Sequence, residues 1–285
     1  DNIVYKEIMS YLAYSRFAHL SRGKMMTLQK KLKTIQAIDR AVAILERVGG
    51  STKGLSLSAI SRALALNPQT AQSIIRTLEA HGFIFQPEKG GPYWLGSRIR
   101  EMSLAWESQN PRIIAAQKIM GQLAERLDEY LILATRDNGR VNALIEFQSQ
   151  QLLRINSSQP GQNRWHVSAT GKILLAYMDE KERETLLRDY RFSRMGPNSV
   201  TSKTVFLKQL VAIKQSGFAV CRNETELGVA AIAVPVLDEK GIAAAALGTY
   251  VPMARFTEKF EKTSLKLLQE TAFEIQRTWN GNVLR

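Results

Sequence analysis

The chain has 285 residues, 45% hydrophobic and 23% charged, with one cysteine and three scattered histidines (His19, His81, His166). This is a length for two domains and the composition of a folded protein. It excludes an internal disulfide, a zinc cluster, a spaced metal site and an apolar run able to cross a bilayer. The charge is uneven: residues 1–100 hold 15 basic against 6 acidic residues, a net +9, and the remaining 185 hold 24 against 20, a net +4. A basic N-terminal part on a balanced body points to a polyanion partner, with a solvated basic surface as the plain alternative. The N-terminus lacks the apolar core of a secretory signal, so the cytoplasm is the expected compartment.

In chain order, residues 1–31 carry Arg16, Arg22 and Lys24 and read either as a start-site extension or as a basic arm touching phosphates. TIQAIDRAVAILERVGG sets Ile35, Ile38, Ala41, Val42, Leu45 and Val48 at helical spacing and stops at Gly49-Gly50. LSLSAISRALAL predicts a short second helix capped by Ser58. In NPQTAQSIIRTLEAHG, Asn67 suits the N-cap and Pro68 the first helical position. Ala71, Ile74, Ile75 and Leu78 then face inward, and Gly82 ends the helix. FIFQPEKGGPYWLG reads as two short strands about a Glu-Lys-Gly-Gly turn.

Together these predict a winged helix-turn-helix over 32–96. The outward positions of its third helix are Gln69, Gln72, Ser73 and Arg76, with Thr70 beside them and no acid among them. Gln and Arg can pair with adenine and guanine edges, so these five are the candidate DNA readers, against the alternative of a solvated face.

Residues 97–129 keep helical spacing but break at Asn110-Pro111. That makes 97–110 a linker helix and 111–285 a second domain. Ile99, Met102 and Trp106 share one side of the linker helix and form the expected seam of a homodimer or tetramer. YLILATRD, VNALIEFQ and QLLRIN then predict strands, the first two joined at Asp137-Asn138-Gly139. Residues 170–189 and 203–216 predict helices. VAAIAVPVL and IAAAALGTY predict strands about Asp238–Gly241, and an amphipathic helix near 257–279 follows. The fold class is α+β, a sheet domain with helices packed on it.

SATGKILLA, residues 168–176, looks like half of a phosphate loop. It lacks the earlier glycine, and Ile173 follows Lys172 where Ser or Thr would reach a metal ion. What remains is a tight loop before a helix start, a place for a small anion. Catalysis by Cys221 and His166 is not favoured. Cys221 ends the apolar run FAVC, where a buried inert thiol is the commoner case, and no orienting group accompanies it. No cofactor is implied.

Three blocks, in this order along the chain, carry a family resemblance: TLEAHGFI with YWLG, HVSATGKILLAYM, and GFAVCRNETELGVAAIAVPVLDEKGIAAAALGTYVPMARFT. Over residues 32–278 the chain resembles the IclR family of bacterial transcriptional regulators. The resemblance implies a winged-helix DNA-binding domain, a linker helix and a GAF-like effector domain. It further implies a palindromic double-stranded operator bound by dimers or dimers of dimers, with a small organic acid as effector, such as an intermediate of aromatic or central carbon catabolism. A constitutive architectural DNA-binding protein, the alternative, would not need the second domain.

The resemblance places the effector at the Ser168, Ala169, Thr170 and Gly171 loop, with Cys221, Ala231 and Ala233 on the opposite wall. Arg164 is either a second anchor through a bidentate contact or a solvated loop arginine. Lys172 matches a family position or points to solvent. His166 orders the loop, in preference to touching ligand. Two departures stand out. Ser73 occupies the place of the family's mid-helix arginine. Cys221 replaces a common aspartate, which would leave room for an extra carboxylate or an aromatic ring on the ligand.

Overall fold

The computed structural model describes residues 34–137, 139–155 and 164–281. Arg16, Arg22, Lys24 and the turn residue Asn138 lie outside the described residues. The chain divides after Asn110 into two compact units.

The first unit comprises α1 (Gln36–Gly49), α2 (Leu57–Ala63), α3 (Pro68–Ala80), the hairpin β1 (Ile84–Phe85) and β2 (Trp94–Leu95), and α4 (Ser97–Gln109). Ile44, Val48, Ile60, Ile75, Ile84 and Tyr93 make its core, so each helix and the hairpin contributes to one cluster. The predicted cap of α2 is corrected. Ser56 holds the extended backbone and accepts from the Ala59 N–H at 3.3 Å. Ser58 lies inside the helix, where it can only bond the Ser56 hydroxyl, at 3.0 Å. Asn67 caps α3 by accepting from the Gln69 N–H at 2.9 Å. After the hairpin, Gly96 lets the chain turn into α4: a Cβ there would stand 2.0 Å from the Gly82 carbonyl oxygen. Helix α4 buries none of its residues.

The second unit opens with α5 (Pro111–Leu127), then β3 (Tyr130–Asp137) and β4 (Arg140–Phe147). Next come α6 (Ala169–Ala176), α7 (Glu180–Leu187), α8 (Lys203–Ser216), β5 (Ala219–Arg222), β6 (Val229–Leu237), β7 (Ala243–Pro252) and α9 (Glu258–Asn280). The five strands form one antiparallel sheet in the order β4-β3-β7-β6-β5. Strand alternation sends Leu131, Leu133, Ile232, Val234 and Leu247 to one face, where α5 and α9 cover them. The other face carries α6, which in turn packs on α8.

Two predicted elements of this unit are corrected. Gln151–Ile155 is no strand: the Ser149 hydroxyl and the Gln151 amide donate to the Asp128 carbonyl at 2.8 and 3.1 Å, and Leu152 and Leu153 are exposed. The helix over 170–189 is two helices. Asp179 ends the run by capping α7, accepting from the Lys181 and Glu182 N–H groups at 3.0 and 3.1 Å. Near the end of β7, Arg255 forks onto buried Glu129 at 2.6 and 2.8 Å, which ties the chain after β7 to the start of β3.

The approach of α6 to the sheet depends on Gly248. A Cβ there would lie 2.9 Å from the Thr170 Cγ2 and 3.0 Å from the Ile232 carbonyl oxygen. Gly248→Ala is expected to destabilise the protein by about 1–3 kcal/mol, as overpacking does, measured as a lower urea midpoint.

Candidate functional site

Every residue of α6 is buried. Its start is organised by Ser168, whose hydroxyl accepts from the Gly171 N–H at 3.1 Å and donates to the Arg164 carbonyl at 3.0 Å. The Ser168 N–H bonds the same carbonyl at 3.1 Å. The N–H groups of Ala169 and Thr170 have no acceptor among the described residues, although both residues are buried. Unpaired buried N–H groups are rare and costly. Two of them at the positive end of a helix dipole suit an anion.

Gly171 is confined by its own loop. A Cβ there would meet the Ser168 Oγ at 2.5 Å and the Trp165 carbonyl oxygen at 2.8 Å. The glycine therefore makes room for the chain's own cap, and a larger residue would disrupt the loop itself.

The opposite wall comes from the sheet. Tyr130, Tyr250, Ala231 and Cys221 stand side by side across β3, β7, β6 and β5, and Ile132, Gly248, Ala233 and Ala219 form the next row. Ala169, Cys221, Ala231 and Ala233 pack in one cluster, with Tyr250 against it. The Tyr250 phenol faces the Thr170 and Ser168 hydroxyls, with the Arg164 guanidinium near enough to favour its anion, yet burial dominates and pushes its pKa up to about 12. Burial likewise pushes the Cys221 thiol up to about 12. Both wall groups are thus neutral at pH 7, and Cys221 is an inert thiol rather than a nucleophile. Arg164 is half-buried at the loop start, and its carbonyl anchors that loop.

Lys172 does not point to solvent. Its side chain is 2% exposed and its ammonium bonds both Glu224 carboxylate oxygens, at 2.6 and 2.8 Å, and the Gln209 amide oxygen at 3.1 Å. Glu224, itself only 9% exposed, lies close enough to Cys221 for the pair to act on the thiol.

His166 orders the loop. Its Nε2–H donates to the Ser193 carbonyl at 2.8 Å, which leaves Nδ1 to accept from the Tyr190 hydroxyl at 2.7 Å. Trp165 adds a bond from its indole N–H to the Gly139 carbonyl at 3.1 Å. Tyr250, Glu224, Gln209 and Tyr190 escaped the sequence reading. The only signal was an aromatic residue two places after Gly248 in an alanine-rich strand.

The second candidate surface is on the first unit. Gln69, Ser73 and Arg76 are exposed on α3, and Thr70 and Gln72 are half-buried. The Ser73 hydroxyl donates back to the Gln69 carbonyl at 3.0 Å, so its proton is spent within the helix. Among the described residues Arg76 has no ion pair or side-chain hydrogen bond, which leaves its guanidinium available. No helix among the described residues is long and apolar enough to cross a membrane.

Two outcomes follow from the buried groups. Lys172→Met strands the Glu224 carboxylate and is expected to cost about 3–5 kcal/mol; Lys172→Met with Glu224→Leu should recover most of that loss in chemical denaturation. Burial holds the His166 pKa below its ordinary 6.5. As pH falls below 6.5 the unfolded imidazole takes up a proton that the folded one resists, so stability is lost on acidification. His166→Gln should flatten this slope in unfolding curves measured from pH 7 down to pH 5.

Residues 108–277 match the family described as bacterial transcriptional regulator IclR C-terminal, and residues 37–88 match the IclR helix-turn-helix domain. The chain is 29% identical over 242 residues to the HTH-type transcriptional regulator XynR of Escherichia coli, covering 82% of this chain and 96% of that protein. The crystal structure of an IclR transcriptional regulator from Alicyclobacillus acidocaldarius superposes with a TM-score of 0.76 at 23% identity, covering 87% of this chain and 100% of that one. An IclR homologue from Microbacterium hydrocarbonoxydans, solved in complex with 4-hydroxybenzoate, superposes with a TM-score of 0.72 at 24% identity, over 85% of this chain and 98% of that one. The relatives are regulators, not enzymes, and with the family match spanning both the reading helix and the sheet domain, this chain belongs to the IclR family of transcriptional regulators.

Proposed function

We propose that this regulator binds a palindromic operator as a symmetric oligomer and changes its DNA affinity when a small carboxylate binds at the start of α6. The observation that carries the ligand reading is the pair of buried N–H groups at Ala169 and Thr170, which have no acceptor among the described residues. A carboxylate has two oxygens for two donors. The wall facing them, Ala231, Ala233, Cys221 and Tyr250, is apolar or neutral and suits a short organic body. Arg164 at the loop start supplies positive charge nearby. The compartment that fits a DNA-binding regulator is the cytoplasm.

DNA recognition is assigned to the α3 face, with Arg76 as its principal base reader and Gln69 and Gln72 beside it. One reading helix covers few base pairs, and a twofold dimer matches half-sites about one helical turn apart. The apolar side chains of α4 support such an oligomer: Met102, Leu104 and Trp106 are exposed on a helix that buries nothing. Ile35, Ile38 and Val42 form a second exposed stripe at the start of the unit.

Three measurements test this. Arg76→Ala should relax preference at one base position, a loss of about 1–3 kcal/mol in discrimination, read by competition between operator and single-base variants. Binding should weaken steeply with salt; an affinity indifferent to salt would reject the α3 assignment. Ala169→Pro removes one of the two free donors at the helical position where proline is best tolerated. It should weaken carboxylate binding about tenfold in calorimetry, the scale of one hydrogen bond to a charged group, and should reduce the ligand-induced change in operator affinity in parallel. Unchanged carboxylate affinity in a folded Ala169→Pro protein would move the effector site elsewhere.

A further inference from the structure

The net charge of residues 101–285 is concentrated in one place. Within that +4, residues 188–217 alone hold six basic residues and one acidic, a net +5, which leaves the rest slightly acidic. The six are Arg188, Arg191, Arg194, Lys203, Lys208 and Lys214, and all are exposed. Among the described residues none of them is in an ion pair. Lys203 and Arg194 donate only to the Leu187 and Pro197 carbonyls, at 3.0 and 2.8 Å. The arginines and the lysines belong to one surface. Phe192 turns inward onto Phe206 of α8, with ring centroids 5.3 Å apart, and so holds the arginine-bearing stretch against the start of the helix.

Helix α8 also shows apolar side chains to solvent. Phe206 and Leu210 are buried, whereas Leu207 and Val211 are 36% and 59% exposed. Lys203, Leu207, Val211 and Lys214 recur at helical spacing, so they share one side of the helix, with Lys208 beside them. An apolar pair with cations around it has the layout of an interface core and its polar rim. We propose that this outer face of α8, with the arginines before it, docks an acidic protein segment: a helix that sets large apolar side chains on Leu207 and Val211 and surrounds them with Asp or Glu. Complementary charge steers and selects such a partner. A nucleic-acid backbone would satisfy the cations but leave Leu207 and Val211 against phosphate and sugar. A twofold contact between copies would set the lysines of one α8 against those of the other. None of these side chains belongs to the α3 reading face or to the start of α6, so the docking is independent of both.

The test is fluorescence anisotropy of a labelled synthetic helix of glutamate and leucine with the full chain. The peptide is about 15 residues long, enough to hold a helix in water. A glutamate-and-alanine helix of the same length is the comparison. The parent is expected to bind the leucine helix about tenfold more tightly than the alanine one, and less tightly as salt rises. Lys208→Glu with Lys214→Glu should weaken the leucine helix about tenfold and Val211→Ser about fivefold. Operator affinity, sedimentation and thermal midpoint should stay as in the parent. If the parent binds neither peptide, or if the charge-reversed protein binds the leucine helix as the parent does, the proposal is overturned. It is overturned equally if the reversal lowers operator affinity, which makes the face a phosphate contact. A lower sedimentation coefficient for Val211→Ser makes it a contact between copies instead. Binding of the parent to phosphatidylglycerol vesicles but not to the leucine helix makes it a membrane surface. Should the charge reversal not fold, Lys208→Gln with Lys214→Gln decides in its place.

Discussion

Helix α6 is enclosed on all sides, and its one charged residue, Lys172, has to be neutralised inside the protein. Much of the second unit follows from that constraint. The counter-ion, Glu224, is far away in sequence and reaches Lys172 only because the chain turns sharply after β5. Asn223 takes a left-handed backbone with φ 56°, Gly228 another with φ 84°, and the Asn223 side chain accepts from the Gly228 N–H at 2.8 Å. The corner is then clamped from outside. Ser199 donates to the Glu224 carbonyl at 2.7 Å, and Gly196 approaches so closely that a Cβ would stand 2.3 Å from the Asn223 carbonyl oxygen. Buried pairs of this kind add little net stability, since desolvation offsets attraction. What this pair does is fix one arrangement: α6 cannot slide along the sheet without stranding both charges.

That arrangement gives α6 two working ends. The Lys172 side is closed and fully paired. Among the described residues the Ser168 side is two hydrogen bonds short, with Ser168 satisfying Gly171 and no acceptor at Ala169 and Thr170. His166 and Trp165 hold the preceding turn from outside, through Ser193, Tyr190 and the Gly139 carbonyl. The proposed ligand site is thus a helix start whose preceding turn is held by its neighbours, the kind of preorganisation that lowers the entropic cost of binding.

The parts of this design that were legible in the sequence are the local ones. Asn67-Pro68 marks the start of the reading helix because capping is decided within a few residues, and the apolar runs of β6 and β7 show because most of each strand is buried. QLLRIN failed for the opposite reason. Its apolar residues are strand-like in type, but whether they pair depends on Asp128, which captures the Ser149 and Gln151 side chains first. Lys172 is ambiguous in the sequence for a similar reason, since its partner lies 52 residues later. Tyr250 was invisible as a wall residue because its place comes from strand register, Tyr130 on one side and Ala231 on the other, and register across a sheet is not written in any single strand.

The two departures from the family pattern have unlike consequences, and the difference is one of environment. Cys221 sits in a closed wall, where losing a carboxylate changes little beyond removing a charge that Lys172 would have had to share with Glu224. Ser73 sits on an exposed face, where nothing compensates for a missing arginine. Its hydroxyl turns back onto the Gln69 carbonyl, which leaves the middle of α3 low in relief. A guanidinium one turn later, on Arg76, is then the longest reach on that face. Sequence preference on this surface should accordingly be carried by few positions, with phosphate contacts from the basic unit supplying most of the affinity.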